Sequence, residues 1–172
     1  MKEALLIIDV QNDYFPKGAC ELVGAYEAEN KIKSLIEESR RINRPIIYIQ
    51  HINPPDDTFF IEGTFGCEIS ERIKPQADDK VIVKYYPNSL LETDLNSYLK
   101  ENGIGKLIVC GMMTHMCVDT TVRAAMDYGY EVDLVADGCA TMDLEISGEI
   151  IPAETVQKTF LASLNGIFAN II

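Results

Sequence analysis

The chain has 172 residues, 47% hydrophobic and 24% charged, proportions that exclude disordered, collagen-like and coiled-coil proteins. At roughly 100–200 residues per domain, that length suits one domain over residues 1–172. With 15 Lys and Arg against 27 Asp and Glu the net charge is −12, which repels nucleic-acid phosphates and anionic lipid, and no basic patch opposes it.

Met1-Lys2-Glu3 and the short run Ala4–Ile8 lack the pattern of a signal peptide, so secretion is not expected. Ala4–Ile8 reads as the first strand. Ala25, Ala28, Ile32, Leu35, Ile36 and Ile42 then recur at helical spacing, with Glu27, Lys31, Glu37, Glu38 and Arg41 opposite them, which predicts an amphipathic helix. Pro45–Gln50 is the second predicted strand. From Asn53 to Lys74 the rhythm breaks at Pro54-Pro55, Asp56-Asp57, Phe59-Phe60, Gly63 and Gly66, as expected of a loop serving as lid or pocket wall. Lys80–Val83 follows as a strand, then a helix from Thr93 with Leu95, Leu99 and Ile104 inward and Gly103 ending it. After the strand Lys106–Cys110, a helix is expected from about His115 to Asp127, stopped by Gly129. Glu131–Ala136 is a further strand. Pro152 opens the last helix, with Val156, Phe160 and Leu164 on one face, and Gly166–Ile171 reads as the sixth strand.

Alternating strands and helices predict an α/β fold of three layers, a doubly wound, Rossmann-like, mainly parallel six-stranded sheet. No apolar run approaches the roughly 20 residues that cross a bilayer. The five cysteines, Cys20, Cys67, Cys110, Cys117 and Cys139, are odd in number and scattered, which points to a reducing cytoplasm rather than a disulfide framework or zinc ribbon.

In open α/β sheets ligands bind beyond the carboxyl ends of the strands. Asp9 directly follows the first strand, Lys84 the third, and Cys117 lies a few residues past the fourth, at one edge of the sheet. Taken singly, each has a plainer reading: a turn residue, a solvated charge, a small buried hydrophobe. Together they supply a nucleophile, a proton acceptor and a cation. A helix start and a neighbouring lysine would both lower the thiol pKa of Cys117, into the range of a reactive thiolate.

Three blocks carry a resemblance: Leu6-Ile7-Ile8-Asp9-Val10-Gln11-Asn12-Asp13-Tyr14-Phe15; Val83-Lys84-Tyr85; and Gly111-Met112-Met113-Thr114-His115-Met116-Cys117 running on to Ala125. In this order, and with the segment from Thr155 to Phe168, the chain resembles the isochorismatase-like cysteine hydrolase family. The resemblance implies Cys117 as nucleophile, Asp9 as its base, Lys84 as the residue that orients Asp9, and a cis peptide at Met112–Met113. It also implies an oxyanion hole from the backbone N–H groups of Met113 and Cys117. Isochorismatases proper, which cleave a vinyl ether, generally lack a cysteine at this position, so Cys117 favours hydrolysis of an amide C–N bond through a thioester. Vinyl-ether hydrolysis, or a non-catalytic oligomeric scaffold, are the alternatives. Metal-containing nicotinamidases resemble Gln-Asp-Trp-His-Pro where this chain reads Gln50-His51-Ile52-Asn53-Pro54, so no metal and no other cofactor is expected, and His51 reads as a supporting or structural residue. Phe15, Tyr85, His115, Phe59 and Phe60 are the expected pocket residues. The expected partners are a small-molecule amide and further copies of the chain, as a dimer or tetramer.

Overall fold

The computed structural model describes residues 1–172. Six strands lie in one sheet in the order β3-β2-β1-β4-β5-β8, every neighbouring pair parallel: β1 (Lys2–Ile8), β2 (Ile46–His51), β3 (Lys80–Lys84), β4 (Ile104–Met112), β5 (Glu131–Ala140) and β8 (Asn170–Ile171). The helices are α1 (Ala25–Arg41), α2 (Leu95–Glu101), α3 (Asp119–Asp127) and α4 (Ala153–Leu164). A strand covered on both faces must be apolar at every position, and β1 is buried continuously from Ala4 to Ile8. Its odd and even side chains feed two cores. Leu6 and Ile8 pack with Leu95 and Leu99 of α2, Val122 of α3 and Leu164 of α4, whereas Leu5 and Ile7 pack with Ala28, Ile32 and Ile36 of α1 and with Tyr14, Phe60 and Cys67. Each of the Leu, Ile, Val and Phe side chains among them contributes about 1.5–3 kcal/mol on burial. Three layers follow, as the alternating pattern predicts.

The differences from that pattern are local. Ile104, expected on the inner face of the second helix, instead begins β4, because Asn102 and Gly103 (φ 65°) already end α2. The expected last strand, Gly166–Ile171, shrinks to Asn170–Ile171, since the N–H groups of Ile167, Phe168 and Ala169 fold back onto the end of α4 and donate to the Leu164 carbonyl. A short antiparallel hairpin, β6 (Leu144–Ile146) with β7 (Glu149–Ile151), was not apparent in the sequence; its turn is Ser147-Gly148, both at positive φ. The expected helix from His115 begins as a π-helical turn, Thr114–Val118, and becomes regular only at Asp119.

Three backbone features set the site. Gly111, near the end of β4, has φ 130°, and a Cβ there would fall 2.1 Å from the Ile8 carbonyl oxygen, so only glycine lets β4 press against the end of β1. Asp9, the next residue along β1, takes φ 52°, a region that short polar side chains tolerate better than most. The Met112–Met113 peptide bond is cis.

Candidate active site

Parallel strands of like length bring their carboxyl ends to one level, and β2 pairs with β3 so that His51 sits opposite Lys84. Asp9 from β1 and Cys117 from the π turn converge on the same point. Lys84 Nζ lies 2.8 Å from Asp9 Oδ2 and 3.1 Å from His51 Nδ1. His51 Nδ1 is in turn 3.7 Å from Cys117 Sγ and 3.8 Å from Asp9 Oδ2. Asp9 and Lys84 are 0% exposed, Cys117 4% and His51 7%, so the cluster is closed to solvent.

Burial alone would raise the Asp9 pKa, but the Lys84 ammonium beside it holds it below the ordinary carboxylate value. For Lys84 burial acts to discharge the amine, and the charge of Asp9 above all overcomes it, raising its pKa. Both are therefore ionised. The thiol behaves otherwise than its sequence context suggests: burial first, then the Asp9 charge, push the Cys117 pKa well up, and Lys84 only partly offsets them. The expected lowering is overturned because a nearly dry site penalises a thiolate more than one turn of helix and one already paired ammonium reward it. Cys117 rests as a neutral thiol. Asp9 Oδ1 is buried and receives no hydrogen bond.

The donor atoms of Asp9, His51 and Cys117 lie within 4.8 Å of one another, the spacing of a metal-ligand set. The Lys84 ammonium already stands against two of the three, filling the cation position, so these residues do not fit a resident metal ion.

The expected pocket residues are placed unevenly. Phe60 is fully buried, 4.6 Å from the Tyr14 ring, 4.8 Å from Phe59 and 6.2 Å from His51. Its backbone has φ 55°, unusual for an aromatic residue, and is held from both sides: its N–H donates to Asp13 Oδ2 at 2.7 Å, and its carbonyl accepts from Asn53 N at 2.9 Å. Phe15 is buried against Tyr26 (5.1 Å) beside a separate groove lined by Asn12, Lys17 and Arg72. Tyr85 is 63% exposed, beyond the end of β3. His115 is half-buried, with Nδ1 2.6 Å from Thr141 Oγ1 and the ring edge-on to Phe160. Burial lowers its pKa, partly opposed by Asp119. Met113 precedes the π turn that carries Cys117, and its carbonyl accepts from Met116 N and Val118 N.

Sequence reasoning missed the place of three residues. His51 belongs to the cluster, Tyr14 packs on the buried Phe60, and Gln11 fixes the His51 backbone, accepting from His51 N and donating to His51 O, both at 2.8 Å. The signal for His51 was the one that marked Asp9 and Lys84: a polar residue ending an apolar strand.

The isochorismatase domain matches residues 3–172. The chain is 45% identical over 172 residues to an uncharacterized isochorismatase family protein, YddQ, of Bacillus subtilis, covering 99% of this chain and 96% of that one. Nicotinamidase 3 of Arabidopsis thaliana is 29% identical over 156 residues, 83% of this chain and 75% of the relative. The crystal structure of an isochorismatase from Pseudomonas putida KT2440 superposes with a TM-score of 0.93 at 36% identity, covering 98% of this chain and 86% of that one.

Proposed function

Because the chain belongs to the isochorismatase family of hydrolases, we propose that it cleaves the C–N bond of a small, uncharged or weakly charged amide through a thioester on Cys117. One observation carries the reading: a buried thiol faces an ionised carboxylate whose charge is matched by Lys84 and whose Oδ1 has no other partner. Asp9 takes the thiol proton as Sγ bonds to the amide carbonyl carbon, and the tetrahedral intermediate places its negative oxygen against the backbone N–H groups of Met113 and Cys117. When the C–N bond breaks, Asp9 returns that proton to the leaving amine. Water then attacks the thioester, Asp9 accepting its proton, and the acid product leaves as the proton returns to the thiol. Lys84 keeps Asp9 ionised at the start of each half-reaction and limits the charge left in a dry site when the proton moves. The similarity to a nicotinamidase supports an amide as substrate, and the five free cysteines suit a reducing cytoplasm.

The test is ammonia release from a panel of nicotinamide, ureido compounds and small aliphatic amides, with wild type beside Cys117→Ala. The variant is expected to melt as wild type does and to lose turnover by several orders of magnitude. Residual activity within about tenfold of wild type would leave Cys117 dispensable, as in vinyl-ether hydrolysis, and would remove the thioester route.

A further inference from the structure

We propose that His51 is a positioning residue of the reacting cluster, its neutral imidazole holding the Lys84 ammonium where it can serve both Asp9 and the Cys117 thiol; this builds on the cysteine-hydrolase reading above. An ammonium has three N–H donors and no lone pair. At 3.1 Å, Nδ1 must therefore be the acceptor, which puts the imidazole proton on Nε2 and makes the ring neutral. A protonated ring would set two cations against each other at that distance.

Lys84 Nζ has four acceptors in reach: Asp9 Oδ2 at 2.8 Å, His51 Nδ1 at 3.1 Å, Tyr86 O at 3.1 Å and Pro87 O at 3.3 Å. The two carbonyls lie on the chain just past Lys84, so without His51 the flexible lysine stem would settle toward them and away from the thiol. A histidine kept only for packing would not need its ring nitrogen on the ammonium, 3.7 Å from the thiol. Nor would its backbone need clamping: Gln11 holds both the N–H and the carbonyl of His51 and also binds the Cys67 carbonyl at 2.7 Å, tying strand and loop together. The groups around the ring are Asp9 after β1, Lys84 from β3, Cys117 from the π turn and Phe60 from the loop, while Cys67 Sγ donates to the His51 carbonyl.

The test compares His51→Leu with His51→Asn, because an Asn amide oxygen can stand where Nδ1 stood while a Leu side chain offers no acceptor. Rates of iodoacetamide modification at Cys117, followed by peptide mass spectrometry against pH, read how much charge Lys84 lends the thiol. His51→Leu should move that profile to higher pH and lower kcat about 10²-fold with KM little changed, the penalty typical of a reactive group displaced by about 1 Å. His51→Asn should restore most of both. If His51→Leu fails to fold, His51→Gln, whose amide sits one bond farther out, should be impaired while folded. A wild-type alkylation profile in His51→Leu or His51→Gln overturns the proposal. So does equal impairment of the Leu and Asn variants in step with their melting temperatures. The alkylation profile decides the role of His51 even if no amide in the panel is turned over, so failure of the amide reading and failure of this one are separable.

Discussion

Asp9 and Lys84 form a salt bridge with neither partner exposed, and removing one charge of such a pair costs far more than removing both. Asp9→Asn leaves a buried ammonium and Lys84→Met a buried carboxylate, each expected to lose about 3–5 kcal/mol in denaturant unfolding. The double variant should recover to within about 1–2 kcal/mol of wild type or exceed it. The pH dependence has a fixed sign. A carboxylate held below its ordinary value stabilises above the unfolded pKa, about 3.9, and loses that contribution as pH falls through its folded value. An amine held above its ordinary value stabilises below about 10.4 and loses that contribution as pH rises through its folded value. The coupling should therefore be flat between about pH 5 and 9 and shrink on both sides, and single variants as stable as wild type would show the pair to be energetically idle. At this scale the sequence was a fair guide to where polar residues end apolar strands, and a poor one to ionisation. Nothing in the residues around Cys117 says that the thiol is nearly dry, since it lies in a core with residues as distant in the chain as Ile8, Ile49 and Leu90, and desolvation outweighs the local helix end.

Among the elements, the strands were legible because both-face burial forces unbroken apolar runs, as in Leu5-Leu6-Ile7-Ile8. Their ends were less so, because Ile104 suits the last turn of a helix as well as the first pair of β4, and the choice falls to pairing with Lys2. The loop from Asn53 to Lys74 was recognisable by composition, but its latch was not. Asp13 accepts from Phe60 N at 2.7 Å and Ala19 N at 3.1 Å, and Gly66 lies so close that a Cβ there would meet the Asp13 carboxylate at 2.2 Å. Removing the carboxylate breaks both bonds, and a buried N–H left without a partner costs about 1–3 kcal/mol, enough to open a loop without unfolding a sheet. Asp13→Ala should thus increase hydrogen exchange at residues 58–67 and speed modification of Cys117 by bulky maleimides, with little change at β1 or β4. Unchanged exchange in the loop would mean that the aromatic packing of Tyr14, Phe59 and Phe60 holds it alone.

For the molecule as a whole, the net charge of −12 is not spread evenly with respect to the site. The loop from Asn53 to Lys74 beside it carries exposed Asp56, Asp57, Glu62, Glu68 and Glu71 against Arg72 and Lys74, and Lys74 is paired with Glu71, which leaves the loop net acidic. An anion approaching the cluster must pass this acidic loop, while the Lys84 charge behind it is already neutralised by Asp9. The global and local fields therefore disfavour anionic substrates by acting on the rate of approach, and salt should relieve them as the screening length falls to about 8 Å at 0.15 M. Iodoacetate and iodoacetamide attack a thiol by the same displacement and differ in charge, so the pair isolates this effect. Modification of Cys117 by iodoacetate should be slower at low ionic strength and accelerate severalfold between about 0.01 and 0.3 M salt, while the iodoacetamide rate stays flat. If both reagents respond alike, the acidic loop is a solvated surface without influence on entry, and selection against anions would have to arise inside the pocket.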